Sequence, residues 1–85
     1  MISTIIKTDG TRMNVEPKNG TDFQLDELQE IVGGYIEIVH LSNGQIMVVN
    51  EEGLIYDLPY NAEASSEAMD IIVGDVLVCD SDKVR

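Results

Sequence analysis

Between residues 25 and 61 this chain carries a short helix signal, a double glycine, an Asn-Gly hairpin and a proline corner in immediate succession. A chain punctuated that closely has few ways to fold. Leu25, Leu28, Ile31 and Val32 form a stripe at helical spacing, with Asp26, Glu27 and Glu30 on the outer face. Acids in the first turn suit the positive end of the helix dipole. Gly33-Gly34 then supplies the left-handed residue that a helix stop commonly needs. About two turns do not persist in isolation, so the helix must be held by packing on a sheet.

The sheet is legible on both sides of that helix. Residues 35–41 alternate, with Tyr35, Glu37, Val39 and Leu41 on one side and Ile36, Ile38 and His40 on the other. Ser42-Asn43-Gly44 joins them to residues 45–50, and Asn-Gly between two β-branched runs is the strongest hairpin cue in the chain. An earlier hairpin is expected from residues 2–16, turning at Asp9-Gly10 as a two-residue loop, before Pro17-Lys18-Asn19-Gly20 breaks the pattern. After Asn50, Glu51-Glu52-Gly53 reads as a turn, residues 54–57 as a short strand and Leu58-Pro59-Tyr60-Asn61 as a rigid corner. Asn61 is placed to cap a helix over residues 62–69. Ile71-Ile72-Val73, a bend at Gly74-Asp75 and a buried strand ending at Cys79 close the domain, leaving residues 80–85 as a tail expected to fray. The expected architecture is α+β: a single domain over residues 1–85, with one small mixed, mainly antiparallel sheet of about five strands and two short helices.

At 85 residues a lone core is only marginally able to offset chain entropy, so a homo-oligomer is expected. Sixteen acids against five bases give a formal net charge of -11, which repels phosphate backbones and anionic membranes. Direct nucleic-acid or membrane binding is therefore not expected. The acids are dispersed, which suits a solvated surface or one that mimics DNA toward a basic protein. No charged leader with an extended apolar stretch and no membrane span is read from the sequence, so a cytoplasmic location is expected.

Candidate chemistry is sparse. Cys79 lies in an apolar run beside Asp80 and reads as a buried hydrophobe, since a reactive thiol wants a cationic neighbour. His40 is the sole histidine and lacks companions at ligand spacing, so it reads as a packed or edge-strand residue, and no metal is expected. No nucleophile signature accompanies it, and no catalytic residue or cofactor is assigned. Convergence of Glu37, Glu51, Glu52 and Asp57 would be the one route to acid-base chemistry. The polar set left for a ligand is Tyr35, Glu37, Asn50, Glu51, Tyr60 and Asn61, placed at strand ends and corners where small-ligand pockets form. Tyrosines could stack on a base, while backbone N–H groups near Gly33-Gly34 or the helix after Asn61, helped by Lys7 or Arg12, would meet phosphates. The same residues also suit plain turn, cap and core-edge duties.

The run from Leu28 through Gly33-Gly34-Tyr35-Ile36-Glu37, then Val49-Asn50-Glu51-Glu52-Gly53, Leu58-Pro59-Tyr60-Asn61 and Asp70-Ile71-Ile72-Val73-Gly74-Asp75, resembles a family of small uncharacterised bacteriophage and mobile-element proteins, a domain of unknown function. The likeness spans residues 25–79 and leaves out the N-terminal hairpin and the tail. It implies a setting inside an infected bacterium, often acting on host defence, and no catalytic residue. Small size, absent catalytic motifs and this resemblance lead to the expectation of a non-enzymatic accessory protein that sequesters a small nucleotide-derived signal at a subunit interface. The alternative is an acidic protein-interaction or DNA-mimic inhibitor of a host enzyme.

Overall fold

The computed structural model describes residues 3–84; Ile2 of the expected hairpin and Arg85 of the expected tail lie outside that range. Five strands form one sheet: β1 (Ser3–Ile6), β2 (Arg12–Val15), β3 (Ile36–His40), β4 (Gln45–Asn50) and β5 (Val76–Asp80), in the order β2-β1-β5-β4-β3. All four ladders are antiparallel, and the parallel character is confined to an isolated bridge between Phe23 and Val84. Helix α1 (Leu25–Val32) leads from one sheet edge to the other, and α2 (Ala62–Ala68) precedes the last strand, which inserts at the centre. The α+β expectation matches this architecture.

Both hairpins turn in the same way. Lys7 N–H donates to Thr11 O at 2.9 Å and Leu41 N–H to Gln45 O at 2.9 Å, so each loop has three residues ending in a left-handed glycine, Gly10 or Gly44. The Asp9-Gly10 turn is thus one residue longer than the two-residue loop its sequence suggests, with glycine taking the positive-φ position that closes such a loop.

Strand alternation sends side chains to two apolar layers. Ile46, Val48, Leu77 and Cys79 pack with Phe23 and with Leu28 and Val32 of α1, whereas Met47, Val49, Val76 and Ile6 pack with Ile72 and with Ala64 of α2. A helix therefore covers each face, which is why β4 and β5 are nearly continuous apolar runs rather than alternating ones. The alternation expected for β3 holds: Ile36 and Ile38 lean toward the α1 layer, and Val39 and Leu41 toward the α2 layer.

Two expectations need correction. Residues 54–57 are not a strand: Tyr56 N–H donates to Glu52 O and Leu58 N–H to Gly53 O, both at 3.0 Å, coiling residues 51–57 into a turn. The loop can curl because Gly53 is buried against Val73, where a Cβ would come within 2.7 Å of Val73 Cγ2. The tail is also tied down. Asp80 completes β5, Ser81–Lys83 form a 3-10 turn, and Phe23 N–H donates to Lys83 O at 2.7 Å.

Asn61 caps α2 as expected and does more. Its Oδ1 accepts from Ala64 N–H at 3.0 Å, while Nδ2 donates to Ile6 O at 3.0 Å and Gly74 O at 2.9 Å, with the residue wholly buried. Substituting Asn61→Ala removes the cap, worth about 1 kcal/mol, and takes a donor from the Gly74 carbonyl, at about 1–3 kcal/mol, while Ile6 O keeps its ladder partner Val76. The expected loss is about 2 kcal/mol or more, read as a lowered midpoint in urea unfolding followed by circular dichroism.

Candidate functional site

The end of the sheet where β3 starts and β4 and α1 finish gathers part of the expected polar set. Glu51 N–H donates to Tyr35 O at 2.9 Å, and Asn50 pairs with Ile36 in the β3–β4 ladder. Asn50 is buried, donating to Val32 O at 3.0 Å and accepting from Glu52 N–H at 2.8 Å. Its amide ties the C-terminus of α1 to the loop after β4. Glu37 and Glu51 are exposed, and Tyr35 projects into solvent. Tyr60 is bridged through its backbone to Val73, with its ring exposed.

The six residues do not share one cavity. Tyr35 alone lines a shallow depression of about 280 Å³, together with Gln29, Gly33, Gly34, Glu52 and Tyr56. Asn61 is sealed inside the fold with both donors in use, and Asn50 is nearly so. These two asparagines shape the end of the sheet rather than face it. Arg12, expected to help with phosphates, reaches across to α2, 3.5 Å from Glu63 and 3.3 Å from Glu67. Lys7 lines a different cleft of about 390 Å³, with Lys18, Glu27, Glu30 and an apolar floor that includes Phe23. Glu27 is committed there, accepting from Lys18 and Gln24 N–H groups, each at 2.9 Å.

Sequence reasoning missed the exposed apolar side chains. Leu54, Ile55 and Tyr56 of the loop, Tyr60, Met69, Ile71 and Tyr35 are seven of the nine large apolar residues that stand exposed among the described residues. Residues 50–60 and 69–74 also contain four acids, Glu51, Glu52, Asp57 and Asp70, and neither lysine nor arginine. The two non-glycine residues with positive φ among the described residues are Asp57, at 56° in the 51–57 loop, and Met69, at 55° after α2. A signal for Met69 was present: no glycine or asparagine follows α2 to stop it, so an ordinary residue has to take the left-handed position.

Among the described residues no group of three or more His, Cys, Asp and Glu side chains is arranged to hold a metal, and no helix is long and apolar enough to cross a membrane. His40 is exposed on edge strand β3. Cys79 is wholly buried, and burial, followed by the Asp80 and Asp82 carboxylates, pushes its thiol from 9.0 up to about 11. A rise of that size leaves about 100-fold less thiolate below pH 9. Iodoacetamide should therefore alkylate the native protein at least about 100-fold more slowly than the urea-unfolded chain at the same pH. Because the native pKa is the higher one, the thiol's contribution to stability is fully present below about pH 9 and is lost as pH rises toward 11.

No curated protein and no solved structure matches the chain. A family model does match, and it runs over the N-terminal hairpin and the last turn as well as the central block. The chain belongs to the family described as Domain of unknown function (DUF3846), whose model it matches over residues 3–84.

Proposed function

We propose that the protein is a non-enzymatic interaction module that docks onto a basic protein surface through its exposed apolar end, acting in the bacterial cytoplasm in the phage-accessory setting that the sequence resemblance implies. The observation that carries this reading is that seven of the nine exposed large apolar side chains among the described residues belong to Tyr35 and to residues 54–60 and 69–71, where residues 50–60 and 69–74 hold four acids and no base. Contiguous apolar surface with a polar rim is the signature of an interaction site. With a net charge of -11, a partner rich in lysine and arginine is the one such a surface attracts.

Met69 strengthens the case. Helix α1 ends on Gly33 in the left-handed region, the inexpensive solution; α2 ends on Met69 in the same region, at about 1–2 kcal/mol for a residue with a Cβ. Its side chain is 90% exposed, so nothing within the chain offsets that strain. A flexible, polarizable thioether held out in this way suits an adaptable docking contact.

A second reading keeps the small ligand. Tyr35 and Tyr56 flank the depression whose remaining lining includes the backbone of Gly33 and Gly34, an arrangement that suits a planar ring stacked on a tyrosine. Here the occupant is a nucleotide-derived signal.

Titration calorimetry separates the two. An amphipathic Leu/Lys helical peptide is expected to bind at least about tenfold more tightly than an all-Lys peptide of equal charge, and a Tyr56→Ser, Ile71→Ser variant to lose that preference. Equal affinities for the two peptides would overturn the docking reading. A raised melting temperature with cyclic dinucleotides or cyclic ADP-ribose would support the second reading. Met69→Gly is expected to weaken the Leu/Lys peptide while leaving the free protein equally stable or up to about 1 kcal/mol more stable.

A further inference from the structure

Strand β3 is a free edge whose hydrogen-bonding parity can be worked out. Leu41 N–H donates to Gln45 O, and Glu51 N–H donates to Tyr35 O. In an antiparallel ladder, residues alternate between bonding the neighbouring strand and pointing away from it. Glu37 and Val39 therefore bond β4, and the N–H and C=O groups of Ile36, Ile38 and His40 point outward. The edge carries no proline and no lysine, the guards that blunt such strands elsewhere.

Beside this edge stands an exposed apolar residue, Leu25. On α1, Glu27 and Glu30 line the cleft toward β1, so the opposite flank, which carries Leu25 and Gln29 one turn apart, lies on the β3 side. Gln29 lines the depression with Tyr35, which fits that placement. Leu25 is 58% exposed there, one of only two exposed large apolar residues outside the apolar end among the described residues.

We infer that two copies of this chain join along β3, antiparallel about a two-fold axis at Ile38, so that their sheets become continuous. In this register Ile38 meets its own counterpart and Ile36 meets His40, giving about six main-chain hydrogen bonds from groups already facing outward. Glu37 lies opposite Val39, so no charge meets a like charge. The occupant is a second copy because the register is self-complementary and the edge offers a basic partner a single carboxylate. The opposite edge is less suited: Lys7 N–H to Thr11 O leaves only Arg12 and Asn14 facing outward on β2, and Arg12 is held by Glu63 and Glu67. The dimer rests on backbone groups that the docking function does not use, with Tyr35 beside both surfaces.

Sedimentation velocity over a concentration series of the full chain tests it. A monomer–dimer equilibrium is expected, with dimer favoured at about 0.5 M salt over about 0.15 M because the repulsion between two chains of charge -11 is screened. Ile38→Pro removes an outward N–H without taking a ladder bond and should raise the dissociation constant at least about tenfold. Leu25→Asp should weaken the dimer similarly while keeping the melting temperature, because an acid in the first turn suits the helix; it decides the matter if Ile38→Pro fails to fold. Asn14→Pro, on β2, should change nothing. A monomer at all concentrations, a dimer dispersed by salt, or one sensitive to Asn14→Pro and not to the β3 variants would overturn the proposal.

Discussion

One buried amide holds three segments of this fold in register. Asn61 bonds the end of β1, the approach to β5 and the first turn of α2, adding a second donor to Ile6 O beside its ladder partner Val76 and serving Gly74 O and Ala64 N–H outside the ladders. Satisfying two carbonyls and one N–H from a single point requires two donors and an acceptor in one short rigid plane, which asparagine alone supplies at that length. Aspartate lacks the donors. Ser65 extends the arrangement, donating from Oγ to Ile72 O and accepting from Ile72 N–H, so α2 and residues 70–74 move as one piece with the sheet. Asn50 does the corresponding work between α1 and the loop after β4. The apolar end therefore projects from a fixed platform, and side chains already ordered in this way lose less entropy when a partner binds.

The topology makes that platform a late product. The central strand of the sheet is the last in the sequence, so β1 and β4 have no common neighbour until residues 76–80 are in place. Before then the chain is two separate hairpins, which are marginal alone. Burying Val76, Leu77 and Cys79 joins both apolar layers at once, which accounts for an unbroken apolar run, residues 76–79, so late in the domain.

Where local chemistry and tertiary packing agree, the sequence is sufficient. Gly33 as a helix stop, Asn43-Gly44 as a hairpin turn and Asn61 as a cap each act within a few residues and can be read directly. The errors fall where distant contacts decide. Residues 54–57 have strand-like composition, yet no neighbouring strand is available, and the fit of Gly53 against Val73 favours a coiled loop. The last turn is ordered because Phe23, some sixty residues earlier, offers its N–H to Lys83 O. Asn50 and Asn61 were legible as polar residues at corners, but whether such a side chain faces a ligand or the protein's own backbone depends on segments up to 55 residues away.

Charge and apolar surface act at different ranges, and their division here shapes how binding would proceed. A net charge of -11 spread over so small a surface acts out to about a Debye length, near 8–10 Å at physiological salt, and sets how often a basic partner arrives in a productive orientation. Leu54, Ile55, Tyr56 and Met69 act only on contact and set how long it stays. Because residues 50–60 and 69–74 carry four carboxylates alongside these side chains, a basic partner drawn to the acids would be brought close to them. A docking surface of the kind proposed would discriminate first by charge at a distance and then by shape at contact, a sequence of tests that neither the acids nor the exposed side chains could apply alone.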